Sequence, residues 1–441
     1  MIKAILLFTD ILVIVSSFLV GKFLRYHNGA HFIPNQITTF LFLVLVIPLI
    51  SYLYDLYNHY YYAQSGRVFF KLVNVWILSF IGYVIVGFLT KFYFLNNSRG
   101  FIFYFFFISY PLITSFFRLL IIPRILRSYF SKPDHRTVCK YIGPEDKFVE
   151  FNQFFKENPI IGFNLTNSNA DENKSKISEI FLFSAEKDFG GLYEELKQYS
   201  SIGKKVHIVT GLFNDLPLRW EWCKIDNLPI ISLKINGEKR WQAIVRRILD
   251  ILLSSLFLII LLPFFAIIAL AIKLDSSGPV IYKQKRCGRN GKEFTLYKFR
   301  SMYNNNTQEK RENCFKAFIE NKTPKGKIID YDEITKVGRI LRRTSLDEIP
   351  QFFNVLKGDM TLIGPRPPIP YEVKYYKEWH KDRLKVKPGV SGLWQVYGRG
   401  IMPCDSSIFL DLLYTMNRSI TLDLKLLFQT IPAVLLGKGA Y

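Results

Sequence analysis

The chain has 441 residues, enough for two or three domains. Hydrophobic residues make up 49% of it and aromatic residues 16%, yet its formal net charge is +22. This combination excludes an ordinary soluble enzyme and points to a membrane protein facing anionic lipid or anionic substrates. Nucleic acid would account for the charge but not for the apolar runs, so no nucleic-acid partner is expected.

Four apolar runs fill the N-terminal third, near 5–24, 39–56, 69–89 and 101–122. Each approaches the ~20 residues that cross a bilayer. The first starts almost at Met1 without a small-residue cleavage site. It reads as an anchor rather than a removed signal peptide, although it carries Asp10. Arg118, Arg124, Arg127, Lys132 and Arg136 then mark the side to which four crossings return as cytoplasmic. The five cysteines (Cys139, Cys223, Cys287, Cys314 and Cys404) form no CxxC pair and read as free thiols of a reducing compartment.

From 131 to 238, short apolar segments such as "TVCKYIG", "ISEIFLFS" and "KKVHIVT" alternate with helical stretches. That alternation predicts a small, Rossmann-like α/β domain. Its first turn, "YIGPED", has one glycine and no GxGxxG, so the domain is expected to bind no nucleotide and to be structural or oligomerising. A homo-oligomer stays open.

The fifth run, Ile248 to Lys273, contains Pro263 and has basic residues on both flanks. Proline removes a helix hydrogen bond and clashes with the preceding turn. Positive flanks mark the cytoplasmic side at both ends. A re-entrant hairpin is therefore expected, broken at Pro263 and returning to the face it entered. "GPVIYKQKRCGRNGKEFTLYKF" reads as a β-hairpin turning at "RNG". The stretch 304–314 reads as a polar loop or short helix. Helical spacing of Leu346, Ile349, Phe353 and Leu356, stopped at Gly358, predicts a helix over 346–357.

Asp347 and Glu348 would stand in the first turn of that helix. Ser345-x-x-Glu348 fits a capping box, which needs no catalytic role. Arg339, Arg342 and Arg343 exceed what capping requires, however, and Arg366 is fixed between Pro365 and Pro367. Arginine forks suit phosphate oxygens. Adjacent acids on a helix diverge by about 100°, which is poor for a glycosidase pair. Such divergence suits a carboxylate that attacks phosphorus beside one that holds Mg²⁺. No GxxxxGK[ST] is present, which argues against a P-loop enzyme.

Residues from about 239 to the C-terminus resemble the bacterial sugar transferase family, the monotopic phosphoglycosyl transferases. The resemblance lies in "SSGPVIYKQKRCGRNGKEFTLYKFRSM", "KVGRILRRTSLDEIPQFFNVLKGDMTLIGPRPP" and "VKPGVSGLWQVYGRG", in that order. With four helices (1–130) and an α/β domain (131–238) ahead of the catalytic part (239–441), the chain resembles the large polyprenyl glycosylphosphotransferase branch. The resemblance implies a catalytic α/β domain at the inner-leaflet surface of the bacterial cytoplasmic membrane, on its cytoplasmic face. It implies transfer of a sugar-1-phosphate from a UDP-sugar to undecaprenyl phosphate, with release of UMP. By the same resemblance Asp347 is the nucleophile and Glu348 the Mg²⁺ partner. Arg342, Arg366, Lys298 and Arg300 meet phosphate, Gln395 borders the nucleotide, and Pro263 breaks the re-entrant helix. Two alternatives remain open: a membrane scaffold or lipid-translocating subunit without catalysis, and one-step transfer without a covalent intermediate.

Overall fold

A computed structural model describes residues 2–26, 34–90, 99–167, 177–184, 189–200, 204–210, 223–225, 228–234, 240–303, 333–397 and 404–435, and residues 312, 315, 316 and 319. Most of the expected polar stretch at 304–314 lies outside the described residues. By compactness the chain divides into Met1–Phe183 with Glu221–Ile230, and Ser184–Trp220 with Ile231–Tyr441.

The first unit holds four long helices: α1 (Ile2–Tyr26), α2 (Pro34–Leu53), α3 (Ser65–Leu89) and α4 (Arg99–Ser131). They match the four apolar runs, and with a fifth helix further on they are long and apolar enough to cross a membrane. The chain is a membrane protein. Two π-helical segments, Tyr104–Ser109 and Phe116–Ile121, interrupt α4, and Arg118 lies in the second. It is buried, 2.6 Å from Asp10 on α1, and donates to the Leu56 carbonyl at 2.9 Å. The Tyr57 hydroxyl also donates to Asp10, at 2.7 Å. Arg118 is therefore not a free flanking charge. It neutralises Asp10, since a lone charge inside a bilayer is costly, and the side-marking falls to Arg124 and the residues after it.

The α/β alternation forms a sheet whose strands in the first unit run in the order β2-β1-β3. The strands along the alternation are β1 (Thr137–Ile142), β2 (Phe163–Thr166), β3 (Glu179–Ser184), β4 (Lys205–Thr210), β5 (Cys223–Ile225) and β6 (Leu228–Lys234). β1 runs parallel to β2 and β3, and β5 runs antiparallel to β6. Helix α5 (Glu145–Glu157) starts with two acids at its positive end and buries Phe151 and Phe155, one turn apart. Phe155 meets Phe163 and Phe181 edge-on across the sheet. Gly162 has φ +75°, and a side chain there would strike the Phe130 ring at 2.6 Å. Glycine thus lets the last aromatic of α4 close against this edge.

In the second unit, α6 (Phe189–Ser200) packs Phe189 on Phe409, and the Tyr193 hydroxyl donates to Asp382 at 2.6 Å. Helix α7 (Arg240–Asp275) then runs for 36 residues with Pro263 inside it. The expected break into two helical arms is not found. Proline costs one hydrogen bond and bends a helix without having to end it, and α7 continues on both sides of this one. Both ends of α7 are tied to the same unit. Arg247 donates to the Val355 and Leu356 carbonyls at 2.6 and 2.8 Å, and Asp250 accepts from Thr361 and from the Leu362 N–H. Asp275 accepts from the Val337 N–H at 2.9 Å. Between these anchors Ile259, Leu262, Phe264 and Ile267 are each more than half exposed, an apolar surface that calls for lipid.

The predicted hairpin is present as β7 (Ile281–Cys287) and β8 (Glu293–Phe299), turning at Arg289–Gly291. Then come α8 (Lys336–Arg343), α9 (Gln351–Lys357) and the parallel pair β9 (Thr361–Ile363) and β10 (Gly389–Ser391). Helices α10 (Cys404–Met416) and α11 (Ile420–Leu435) close the described chain.

Candidate active site

The two carboxylates stand on a corner rather than on the predicted helix. Helix α8 ends in Arg342 and Arg343, and Ser345 then takes a left-handed conformation, φ 56° and ψ 16°. Leu346–Glu348 form one 3-10 turn, and α9 begins only at Gln351. Pro350 accounts for the late start: it has no N–H to donate back to the Leu346 carbonyl, although Ile349 before it keeps helical angles (φ −53°, ψ −39°), and a proline starts a helix well. The stop at Gly358 is as predicted: its φ is +89°, and its N–H returns to the Asn354 and Val355 carbonyls. The capping box does not form. Ser345 makes no side-chain cap hydrogen bond, and Glu348 reaches Lys298 on β8 at 2.7 Å instead. A left-handed non-glycine residue costs on the order of 1–3 kcal/mol and is typical of functional corners.

Packing holds that corner in place. Leu346 and Ile349, on either side of the acids, join a core of Ile268, Ile272, Phe299 and Leu341, with Phe265 against it. Ile268 and Ile272 belong to the C-terminal half of α7, so the apolar helix forms the floor of the turn. Each such side chain contributes roughly 1.5–3 kcal/mol when fully buried. Above this floor Asp347 is only 7% exposed, and Glu348 and Lys298 are both about a quarter exposed.

Other expected site residues are distributed differently. Arg300 is buried and turned to the C-terminal end of α7. Its guanidinium donates to the Ser276 carbonyl at 2.7 Å and hydroxyl at 3.0 Å, where unpaired carbonyls and the helix dipole favour a cation. Gly278 gives it room, since a side chain there would lie 2.3 Å from Arg300 Nη1. Arg342 is on α8, one turn before Leu346. Arg366 is half-buried, with its guanidinium 5.7 Å from the Trp394 ring centre. Gln395, on the short helix Leu393–Tyr397, donates its amide to the Val390 carbonyl on β10 at 2.9 Å. The start of β10 lies close to the chain that leaves β9: an added carbon on Gly389 would fall 2.0 Å from the Gly364 nitrogen.

Three buried residues that sequence reasoning missed surround the Arg366 loop: Arg286, Arg383 and Asp411. Burial, reinforced by the neighbouring Arg366, pushes the Arg286 pKa down to about 10. Burial also raises Asp411 to about 6, although Arg383 pulls against it. Arg286 gave a partial signal through its place in the hairpin segment; Arg383, in "HKDRLKV", gave none.

A family model described as bacterial sugar transferase matches residues 241–437. The exopolysaccharide production protein ExoY of Sinorhizobium fredii is 37% identical over 45% of this chain and 88% of its own length. The chain belongs to the bacterial sugar transferase family. Within this transferase the matched span holds both the Asp347 turn and the Arg366 loop. A UDP-glucose:undecaprenyl-phosphate glucose-1-phosphate transferase of Klebsiella pneumoniae is 29% identical over 98% of this chain and 95% of its own length, so the likeness extends through the N-terminal helices and the α/β segment. An undecaprenyl-phosphate galactose phosphotransferase of Salmonella typhimurium is 39% identical over 48% of this chain and 45% of its own length.

Proposed function

We propose that this transferase moves a sugar-1-phosphate from a UDP-sugar to undecaprenyl phosphate at the cytoplasmic face of the membrane, as a first step in exopolysaccharide, capsule or O-antigen assembly. The observation that carries this reading is the Asp347–Glu348 corner seated on the apolar helix α7. A polyprenyl phosphate keeps its tail in the bilayer and its phosphate at the surface, while a UDP-sugar arrives from water. A nucleophile standing on a membrane helix serves both. The anchoring of both ends of α7 to one unit supports a re-entrant course, with Pro263 as the bend.

Asp347 attacks the β-phosphorus of the UDP-sugar. A carboxylate oxygen–phosphorus bond forms, the bond from that phosphorus to the bridging oxygen breaks, and UMP leaves. A phosphate oxygen of undecaprenyl phosphate then attacks the acyl phosphate, which frees the carboxylate and gives a diphosphate-linked lipid. Burial of Asp347 removes water that would compete with this lipid. Lys298 neutralises Glu348, so that two acids can sit beside a diphosphate. The donor set fits Mg²⁺, which takes one or two carboxylates and fills its octahedron with phosphate oxygens and water. Glu348 would hold the ion, and the ion when bound would offset diphosphate charge. Arg342 and Arg366 supply the fixed positive charge for the remaining phosphate oxygens.

Intact-protein mass spectrometry after mixing the enzyme with UDP-glucose or UDP-galactose, without lipid acceptor, tests the two-step route. A sugar-phosphate adduct on Asp347 is expected. Asp347→Asn should lose both the adduct and UMP release while remaining folded. Robust turnover by that variant would overturn the assignment.

A further inference from the structure

The loop that carries Arg366 is gripped by its backbone. Pro365, Pro367 and Pro368 have no N–H, so the loop offers mainly carbonyls, and four consecutive ones are taken. Gly389 N–H donates to the Pro365 carbonyl at 2.9 Å, and Cys287 N–H to that of Pro368 at 2.8 Å. Arg383 Nη2 donates to the Arg366 carbonyl at 3.0 Å, and Arg286 Nη1 to that of Pro367 at 2.8 Å. The Arg366 N–H donates to Asp411, which also pairs with Arg383. The two guanidiniums are themselves braced. Arg383 Nη1 donates to the Tyr376 hydroxyl at 3.0 Å, and Arg286 donates twice to Gln284 Oε1, at 3.1 and 2.7 Å.

Buried charge is costly, and a neutral donor would suffice to satisfy a carbonyl. Arg286 is held, moreover, against a like charge, Arg366. An arrangement this expensive fits a demand for aim rather than for stability alone. We propose that Arg383 and Arg286 are positioning residues which, with Asp411, clamp the peptide groups on either side of Arg366 and aim its guanidinium at the phosphates before the substrate arrives. The proposal rests on the phosphoryl-transfer reading. A displacement of about 1 Å by a remote change can cost about 100-fold in rate, so a rigid loop has a measurable effect.

The test uses the full-length enzyme in lipid nanodiscs. UMP release is measured with UDP-glucose and UDP-galactose plus undecaprenyl phosphate, and backbone hydrogen exchange is followed over residues 361–369. Arg383→Lys keeps a cation for Asp411, but its single nitrogen cannot stand at the two places that Nη1 and Nη2 of Arg383 occupy. It should lower kcat/KM by about 10- to 100-fold and speed exchange over this loop. In an Arg366→Ala background the same change should cost less than about threefold, because the side chain being aimed is gone. Arg286→Lys should behave alike. If Arg383→Lys leaves Asp411 poorly paired and unfolds the protein, the pair Arg383→Gln with Asp411→Asn removes both charges together and gives the same readings. Unchanged exchange in the loop, or costs of Arg383→Lys and Arg366→Ala that simply multiply, would overturn the clamp. Should the wild type release no UMP from either sugar nucleotide, the catalytic reading falls and the exchange comparison alone decides the clamp.

Discussion

His380 lies fully buried with its Nε2 3.2 Å from an Asp405 oxygen. Burial of the ring outweighs the Asp405 carboxylate, so the His380 pKa lies below its ordinary value. The folded chain holds a neutral imidazole where the unfolded chain takes up a proton from about pH 6.5 downwards. With fewer protons bound in the folded state, stability rises with pH in this range. The His380 contribution is present above about pH 6.5 and is lost as pH falls through the lower, folded pKa. Asp405 is itself held below the usual carboxylate range: burial opposes this, but His380 and Lys377 prevail. Its contribution is lost only at lower pH. The unfolding midpoint of the detergent-solubilised protein should therefore fall from pH 7 to 5.5, and His380→Gln should flatten part of that fall. Identical slopes for both proteins would contradict the burial argument.

Helix α7 is the element on which the site depends, and Asp250 is its main polar anchor. This carboxylate, 5% exposed, accepts from the Thr361 hydroxyl at 3.0 and 2.9 Å and from the Leu362 N–H at 2.9 Å. Without it, two donors on β9 are left buried and unmet, at about 1–3 kcal/mol each. Asp250→Ala should lower the unfolding free energy by roughly that amount, measured by urea titration in detergent. Asp250→Asn keeps one acceptor oxygen and should lose less. Equal losses would show that the charge, pairing with nearby arginines, matters more than the hydrogen bonds. At the other end of α7, Arg300 and Asp275 tie the helix to the residues that carry Lys298 and α8, so loosening either end should reach the Asp347 corner.

At the scale of the whole molecule, the course of α7 through the bilayer decides which side the chemistry faces. Arg240 and Lys283 are both exposed and flank the apolar stretch. A re-entrant helix puts both in the cytoplasm; a spanning one separates them. Single cysteines at these positions, in a background lacking the native five, should both resist an impermeant maleimide applied from the periplasm. Labelling of one alone would establish a full crossing. Pro263→Ala replaces the proline inside α7, the residue type that kinks helices, and should shift some molecules toward that crossing.

Length, apolar runs and charge were enough to determine the membrane class and the four N-terminal helices, because a run of ~20 apolar residues has few other places to go. The β7–β8 hairpin was equally legible, since Asn290-Gly291 takes the positive φ angles that such a turn demands. Asp347 and Glu348 could be singled out as a charged pair, but their setting could not. Local spacing favoured a capped helix, and only tertiary structure turned Glu348 to Lys298, fifty residues away in the chain. Arg300, one position beyond β8, was drawn to the end of α7 by unpaired carbonyls that no local pattern announces. Arg286, Arg383 and Asp411 became visible only when distant strands and helices met around Arg366. Local sequence carries period and turn chemistry. Which charge is buried, and against which partner, is decided by contacts between residues far apart in the chain, where low dielectric makes an unpaired group too costly to keep.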